Sequence, residues 1–230
     1  IAADNGGINI KADGTIDASG SKGGSIALQA SNGDVELGGS LIARGEEVVA
    51  NANNAGTRGQ GGDVLLASNG GKVKTLADSV VDISAASGSA AQGGRVTFRA
   101  DKSTSIANAG DLNIQLGGAV SGARDVSAEI VSRYNGNYTA LNAGNTSGTT
   151  LGLTTIKNNL STLYSTVNID TLRGHLGFGT NPLFHVRPGV EIVGASSGDF
   201  TIAADLDYTT LRFAGEAGVL PLRAQNNLKI

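Results

Sequence analysis

The sequence predicts an all-β fold, built as a parallel β-helix: a solenoid of short, stacked strands with one inserted segment that contains a short α-helix. Two observations lead to this prediction. A phrase made of a glycine pair and alternating apolar residues recurs along the 230 residues, and the composition combines 35 glycines with only 4% aromatic residues. The first observation indicates repeated short strands, and the second indicates a narrow aliphatic core with many tight turns.

The repeated phrase is clearest in the first half of the chain. Each copy places two apolar residues two positions apart, as in Ile26 and Leu28, which is the period of a strand with one buried face. The copies read "GGINIKA", "GGSIALQA", "GGDVLLA", "GGRVTFRA", "AGDLNIQL" and "SGDFTIAA", and they begin at Gly6, Gly23, Gly61, Gly93, Ala109 and Ser197. The early intervals of 17, 38, 32 and 16 residues predict a unit of roughly 16 to 20 residues, occurring singly or doubled.

A unit of this length cannot bury an apolar face by itself. Stacking the units in a parallel solenoid gives every strand a partner in the neighbouring coil, and alternate side chains then fill a thin central column. Glycine and asparagine suit the corners, where positive φ is often required. A β-sandwich is the alternative architecture, and it predicts less regular phrases and a larger aromatic core.

The regular pattern stops between residues 124 and 180. We therefore predict β-helix coils over residues 1–123, an insertion over 124–180 and continued strands over 181–230. An amphipathic helix is predicted at about 150–168, because apolar residues recur there at spacings of three and four. A second short helix is predicted around "IDTLRGHLG", ending near Gly174 or Gly177.

Composition excludes several classes of function. The net charge of −3 is spread along the chain, so no basic face indicates a nucleic-acid partner. The absence of cysteine excludes disulfides, thiol nucleophiles and cysteine-zinc sites. No apolar run approaches the length of about 20 residues that a membrane-spanning helix needs. The chain also has no methionine, so we expect it to be a segment of a longer polypeptide.

Two groups of residues resemble catalytic sites. Ser196 occupies the serine position of a G-x-S-x-G match in "GASSG", but a nucleophile elbow needs a helix after the serine and a histidine later in the chain. Asp205 and Asp207, with Asp199 nearby, could act as an acid and base pair in a dry cleft. Because the chain has no tryptophan and four tyrosines, it offers little aromatic platform for a sugar. We therefore predict a polar corner at Ser196 and a solvated face at Asp205 and Asp207.

The remaining candidates also favour ordinary structural roles. His175 and His185 have no regularly spaced ligand partners, so we predict no metal site. The N-glycosylation pattern is expected by chance in a chain rich in Asn, Ser and Thr. It occurs at Asn137, Asn145 and Asn159, and exposed loops are predicted around Glu46, Glu47, Arg58 and Gln60. We therefore expect no catalytic, cofactor-binding or metal-binding residues and no enzymatic activity.

The last fifty residues contain the sequence motifs that are most specific for a protein family. "VRPGVEIVGASSGDFTIAADLDY" and "LRFAGEAGVLPLRAQNNLKI" resemble the filamentous haemagglutinin-like exoproteins of Gram-negative bacteria. The resemblance lies in residues 187–191, 198–201 and 218–224, and more loosely in the earlier repeats. It implies a right-handed parallel β-helix, two-partner secretion through an outer-membrane transporter, and a role in cell adhesion or surface display.

We accordingly expect a non-catalytic structural shaft in a large secreted or surface-displayed adhesin, localised outside a Gram-negative cell. Its loops near residues 46–60 and the 124–180 insertion are the expected contact surfaces for a host-cell, glycan or other surface target, and end-to-end or lateral self-association is a further expected contact. Two alternatives stay open at this point. One is a polysaccharide lyase or hydrolase on the same fold, and the other is a self-assembling structural fibre.

Overall fold

A computed structural model of the protein describes residues 1–48, 57–86, 92–196 and 198–230. These residues form mostly short strands, together with two α-helices, so the prediction of an all-β fold is confirmed at this level. The chain divides into two compact units. The first comprises Ile1–Ala128 and Arg173–His185, and the second comprises Glu129–Leu172 and Val186–Ile230.

The first unit contains three parallel sheets, and each repeat of the chain contributes one strand to each sheet. The first sheet contains β1 (Ala2–Ala3), β4 (Ser25–Ala30), β9 (Asp63–Ser68), β12 (Gly94–Asp101) and the first residues of β15 (Ala123–Tyr134). The second contains β2 (Ile8–Ile10), β5 (Val35–Leu37), β10 (Val73–Thr75) and β13 (Ile114–Leu116). The third contains β3 (Thr15–Asp17), β6 (Ser40–Ile42), β11 (Val80–Asp82) and β14 (Ala119–Ser121).

The repeat is longer than the sequence predicts. Equivalent positions of the second sheet, at Ile8, Val35, Val73 and Ile114, lie side by side and are 27, 38 and 41 residues apart. The predicted unit of roughly 16 to 20 residues is therefore wrong. The reason is that the phrase occurs on two different sheets: "GGSIALQA" forms β4 of the first sheet, whereas "GGINIKA" and "AGDLNIQL" form β2 and β13 of the second.

The core of this unit is a set of stacked aliphatic rows. In the first sheet, Leu28, Leu66 and Phe98 are in register and almost completely buried. In the second, Val35 and Val73 are in register and have no exposed surface. Alternate positions of each strand point away from these rows, so the period-two pattern of the sequence does mark the buried face.

The loop near residues 46–60 is described only in part. β7 (Glu47–Val48) and β8 (Thr57–Arg58) pair in antiparallel fashion. The rest of this predicted contact loop, residues 49–56, lies outside the described residues.

The second unit has its own parallel strands. The later residues of β15 are followed in the sheet by β18 (Phe184–Val193) and β22 (Leu222–Arg223). A second sheet has the order β17 (Thr150–Gly152), β16 (Ala140–Asn142), β19 (Phe200–Ile202) and β23 (Leu228–Lys229), and β20 (Arg212–Phe213) and β21 (Glu216–Ala217) form an antiparallel hairpin.

Two helices occur in the predicted insertion. α1 (Leu153–Leu163) lies within the predicted range of 150–168, and α2 (Thr166–His175) covers the second predicted helix. α1 buries Leu153, Ile156 and Leu160, and the buried hydroxyl of Tyr164 donates to the carbonyl oxygen of Ile130 at 2.6 Å.

The predicted start of the insertion at residue 124 needs correction, because residues 124–134 belong to β15. Residues 126–128 and 130–132 are all buried there, which is the pattern of a strand with both faces covered. The sequence break that we predict at residue 124 is therefore the beginning of a longer strand.

Candidate functional site

Ser196 lies in an exposed segment after β18, where Asn135, Asn137 and Gln225 line the same polar cleft of about 450 Å³. The next regular element after Ser196 is a strand, β19. A nucleophile elbow places a helix at this point. The element after Ser196 is therefore the strand that the sequence predicts.

The candidate aspartates are held by separate contacts. Asp199 forms an ion pair with Lys229, in which Oδ2 and Nζ are 2.6 Å apart. Its Oδ1 accepts a hydrogen bond from Asn227 Nδ2 at 2.9 Å. Hydrogen bonds from Lys229, which have the largest effect, and from Asn227 lower the pKa of the Asp199 carboxyl. Asp207 accepts a hydrogen bond from the backbone N–H of Thr209 at 2.9 Å. Hydrogen bonds from the side chain and backbone of Thr209 lower the pKa of the Asp207 carboxyl. Asp199 is thus tied to β23 and Asp207 to its own turn.

The other sequence candidates are distributed over the surface. Asn137, Asn145 and Asn159 are exposed, and the Nδ2 of Asn159 contacts the hydroxyl of Tyr134 at 3.2 Å. Across residues 1–48, 57–86, 92–196 and 198–230, no three His, Cys, Asp or Glu side chains come together in a way that could hold a metal ion. Nor does any helix in these ranges have the length and apolar character needed to cross a membrane.

A buried charged cluster in the second unit is a feature that the sequence analysis did not identify. The side chain of Glu191 is 1% exposed, and its Oε1 lies 2.7 Å from Arg133 Nη1 and 3.0 Å from Arg223 Nε. The three residues belong to β15, β18 and β22, which are neighbours in one sheet. The signal in the sequence was a single glutamate within the apolar run "VEIV". This cluster crosslinks three strands within the unit.

The first unit contains two adjoining pockets, which we call the inner and the outer pocket. The inner pocket has a volume of about 150 Å³ and a mostly apolar lining: Thr75, Ser79, Val81, Phe98, Leu116, Gly117, Gly118, Ala119, Val120, Val126, Leu176, Gly177, Phe178 and Phe184. The outer pocket has a volume of about 300 Å³ and is lined by Lys74, Thr75, Leu76, Ala109, Gly110, Gln115, Leu116, Gly117 and His175. Thr75, Leu116 and Gly117 line both, so the two spaces adjoin at these residues.

The end of α2 forms one wall of these pockets. Gly177 has φ +72°, and the N–H of Phe178 donates to the carbonyl of Arg173 while the N–H of Gly177 donates to that of Gly174. This is a Schellman motif, which ends the helix and turns the chain. It brings Phe178 against Phe184, whose ring centroid lies 4.7 Å away in a stacked arrangement.

Arg173 fixes the segment that follows. Its guanidinium donates to three backbone carbonyls: Nε to Gly179 at 3.0 Å, Nη1 to Phe184 at 2.6 Å and Nη2 to Asn181 at 3.0 Å. A planar fork of donors suits this task because one side chain can hold several acceptors in a fixed geometry. The aromatic wall of the inner pocket is thereby anchored to the helix end.

The polar groups of the two pockets differ in character. Thr75 Oγ1 accepts from the N–H groups of Gly117 and Gly118, at 3.1 and 3.2 Å. His175 lines the outer pocket, and its Nδ1 is buried without a hydrogen-bond partner among the described residues. Lys74, in the same lining, lies 3.5 Å from Asp34. From the sequence alone, His175 is a candidate only for a metal ligand. The residues that line the outer pocket with it are far away along the chain.

Comparison of the chain with models of protein families, with curated proteins and with solved structures found no match.

Proposed function

We propose that this chain is a segment of a right-handed parallel β-helix that serves as the non-catalytic shaft of a large extracellular adhesin. The observation that carries the proposal is the in-register stacking of equivalent residues in the first unit. Ile8, Val35, Val73 and Ile114 follow one another across four parallel strands, and the other two sheets repeat the same order. A chain that visits three sheets in turn and pairs each strand with its equivalent has the connectivity that a solenoid requires, which supports the proposal.

The proposed mechanism is mechanical. Parallel ladders of backbone hydrogen bonds run from repeat to repeat, and the interior between them is filled by aliphatic side chains such as Leu28 and Leu66. Each repeat contacts mainly its neighbours, so a stiff element can be extended by adding repeats. Such an element can hold a binding or toxic module at a distance from the cell surface.

The extracellular assignment is supported by the sequence resemblance to filamentous haemagglutinin-like exoproteins. That resemblance implies export through an outer-membrane transporter and a surface target such as a host cell or a glycan. One part of the shared phrase has a structural explanation here, because Glu191 of "RPGVE" is buried between Arg133 and Arg223. We infer that this part of the phrase maintains the sheet and does not contact a target.

Electron microscopy of the purified chain tests the shaft. We expect single, unassembled particles, whereas filaments would favour the self-assembling fibre and contradict the proposal. A polysaccharide-cleavage assay on the same sample tests the enzymatic alternative. Cleavage that is lost in Asp205→Ala or Asp207→Ala would overturn the non-catalytic role. Antibody labelling of intact source cells should show the chain at the surface.

A further inference from the structure

We propose that the inner and outer pockets of the first unit together bind a small amphipathic molecule: an aromatic ring that carries a short carboxylate arm. This site goes beyond the role of a shaft and does not depend on it. The inner pocket accepts the ring and the outer pocket accepts the carboxylate.

The inner pocket fits one aromatic ring in size and in chemistry. Its volume is about 150 Å³, and an apolar protein cavity of about 150 Å³ is large enough to hold benzene. Phe98 and Val126 in its lining are almost completely buried, and Phe178, on the segment after α2, lines the same pocket. Stacked or edge-on contacts with Phe178 and Phe184 would stabilise a ring more than an alkyl chain of equal area.

The outer pocket favours an anionic group. The titratable side chains in its lining are Lys74 and His175, and neither pocket has an Asp or Glu among its lining residues. The ammonium group of Lys72 lies next to this lining, since it donates to the carbonyl of Gly110 at 3.2 Å. Lys74 thus lies in the lining and Lys72 beside it, with Asp34 offsetting part of the charge of Lys74 and Asp111 part of that of Lys72.

The imidazole of His175 offers the outer pocket a polar atom that lacks a partner in the part of the chain that the structure describes. A buried polar atom without a partner costs about 1–3 kcal/mol, and nearly all such atoms in native proteins have a partner. The Nδ1 of His175 is buried and unpaired within the described residues, at the wall of a pocket. A ligand carboxylate would accept a hydrogen bond from it and remove this cost.

The proposed ligand spans the two pockets at the residues that line both of them. Thr75 and Leu116 line both spaces, and Thr75 Oγ1 already accepts two backbone hydrogen bonds. Its hydroxyl proton can therefore be donated toward a bound oxygen. In the proposed binding mode, the short arm of the ligand crosses from the ring to the carboxylate beside these shared residues.

The site is tested by titrating the purified chain with 3-phenylpropionate and following backbone amide NMR shifts. We expect saturable shifts centred on Phe98, Val126 and Phe178, with a Kd on the order of 1 mM or tighter. 3-Phenylpropanol keeps the ring but lacks the carboxylate, and it should bind roughly tenfold more weakly. Propionate lacks the ring and should cause no saturable shifts at the inner pocket. Absence of saturable shifts with 3-phenylpropionate would overturn the proposal.

Substitutions at His175 and Ala119, with a control at Ser196, separate the two halves of the site. His175→Ala should weaken 3-phenylpropionate roughly tenfold and leave 3-phenylpropanol unchanged, and equal affinity for 3-phenylpropionate would contradict the role of the imidazole. Ala119→Leu, at an exposed lining position on β14, should fill the inner pocket and abolish binding of both probes. Ala119→Val is the smaller replacement if leucine lowers the unfolding midpoint. Ser196→Ala, in the second unit, is the control and should change neither affinity.

Discussion

The carboxylate of Glu191 is buried against the guanidinium of Arg133, with Oε1 and Nη1 2.7 Å apart. Arg133 is 17% exposed in its side chain, whereas Arg223, the other arginine at Glu191, is 60% exposed. Removing one member of a buried ion pair leaves an uncompensated charge in a medium of low polarity. The two arginines therefore contribute unequally, although both contact the same carboxylate.

Arg133→Met should lower the free energy of unfolding by about 3–5 kcal/mol, because it removes the more buried of these two arginines from a buried carboxylate. Arg223→Met is the matched control and should cost no more than about 1 kcal/mol. The double variant Arg133→Met/Glu191→Leu should recover most of the loss. Urea unfolding monitored by circular dichroism measures all three, and equal losses for the two arginine variants would contradict this ranking.

Leu66 and its neighbour Leu65 test the stacked core of the first unit. Leu66 has no exposed surface and lies between Leu28 and Phe98 in the first sheet. Leu66→Ala should cost about 2–5 kcal/mol through lost burial and a residual cavity. Leu65 is only partly buried on the opposite face of the same strand, so Leu65→Ala should cost clearly less. Similar urea midpoints for the two variants would show that the stacked rows are not the main source of stability.

Gly94, in one of the glycine pairs of the repeated phrase, is required by the close approach of two backbones. A Cβ at this position would lie 1.7 Å from the carbonyl oxygen of Gly62 in the neighbouring repeat, so the two backbones can approach only without a side chain. Gly94→Ala should therefore lower stability by about 1–3 kcal/mol. A Cβ at Gly110 would meet no atom within 4 Å, and Gly110→Ala is expected to be neutral in the same thermal unfolding experiment.

The all-β class and the buried faces of the strands could be predicted from the sequence. Alternation such as Ile26 and Leu28 identifies buried faces because side-chain direction in a strand has a period of two. The length of a repeat could not be read in this way. The phrase describes any strand that follows a glycine corner, so copies on β2 and β4 appear as successive units although they belong to different sheets.

The pockets could not be predicted from the sequence for a related reason. Thr75, Gly117 and His175 are far apart along the chain and meet only in the folded unit. No local pattern connects them, and a lone histidine in a helix is compatible with many roles. The wall formed by Phe178 was partly foreseeable, because the glycines after "DTLR" predict where α2 ends.

Acid pH should weaken the second unit partly through Asp199. Hydrogen bonds from Lys229 and Asn227 lower its pKa from the ordinary value of 3.8. A carboxyl whose pKa is lower in the folded state adds stability above its unfolded pKa, and this stability is lost as the pH falls through the folded value. Asp199→Asn should therefore be less stable at neutral pH and lose less stability between about pH 5 and about pH 2. Asp205→Asn, an exposed neutralisation in the same unit, is the control, and identical pH profiles for the two variants would contradict the prediction.

Two glycines at the end of α2 should respond to alanine with opposite signs. Gly174 is helical, and a Cβ there would meet no atom within 4 Å, so Gly174→Ala should raise stability by about 0.5–1 kcal/mol. Gly177 has φ +72°, a left-handed conformation that costs a residue with a Cβ about 1–2 kcal/mol. Gly177→Ala should therefore lower stability, although its Cβ would also meet no atom within 4 Å.

This pair separates backbone conformation from space, since both positions can accommodate a methyl group. Thermal unfolding gives the sign of each change. If the Schellman motif positions Phe178, Gly177→Ala should also increase amide hydrogen exchange at Phe178, whose N–H donates to Arg173 at 2.9 Å. The Gly174→Ala variant should leave that exchange unchanged or slower. A stabilising Gly177→Ala substitution would mean that the helix does not end in the left-handed turn, and the aromatic wall of the inner pocket would then lack its anchor.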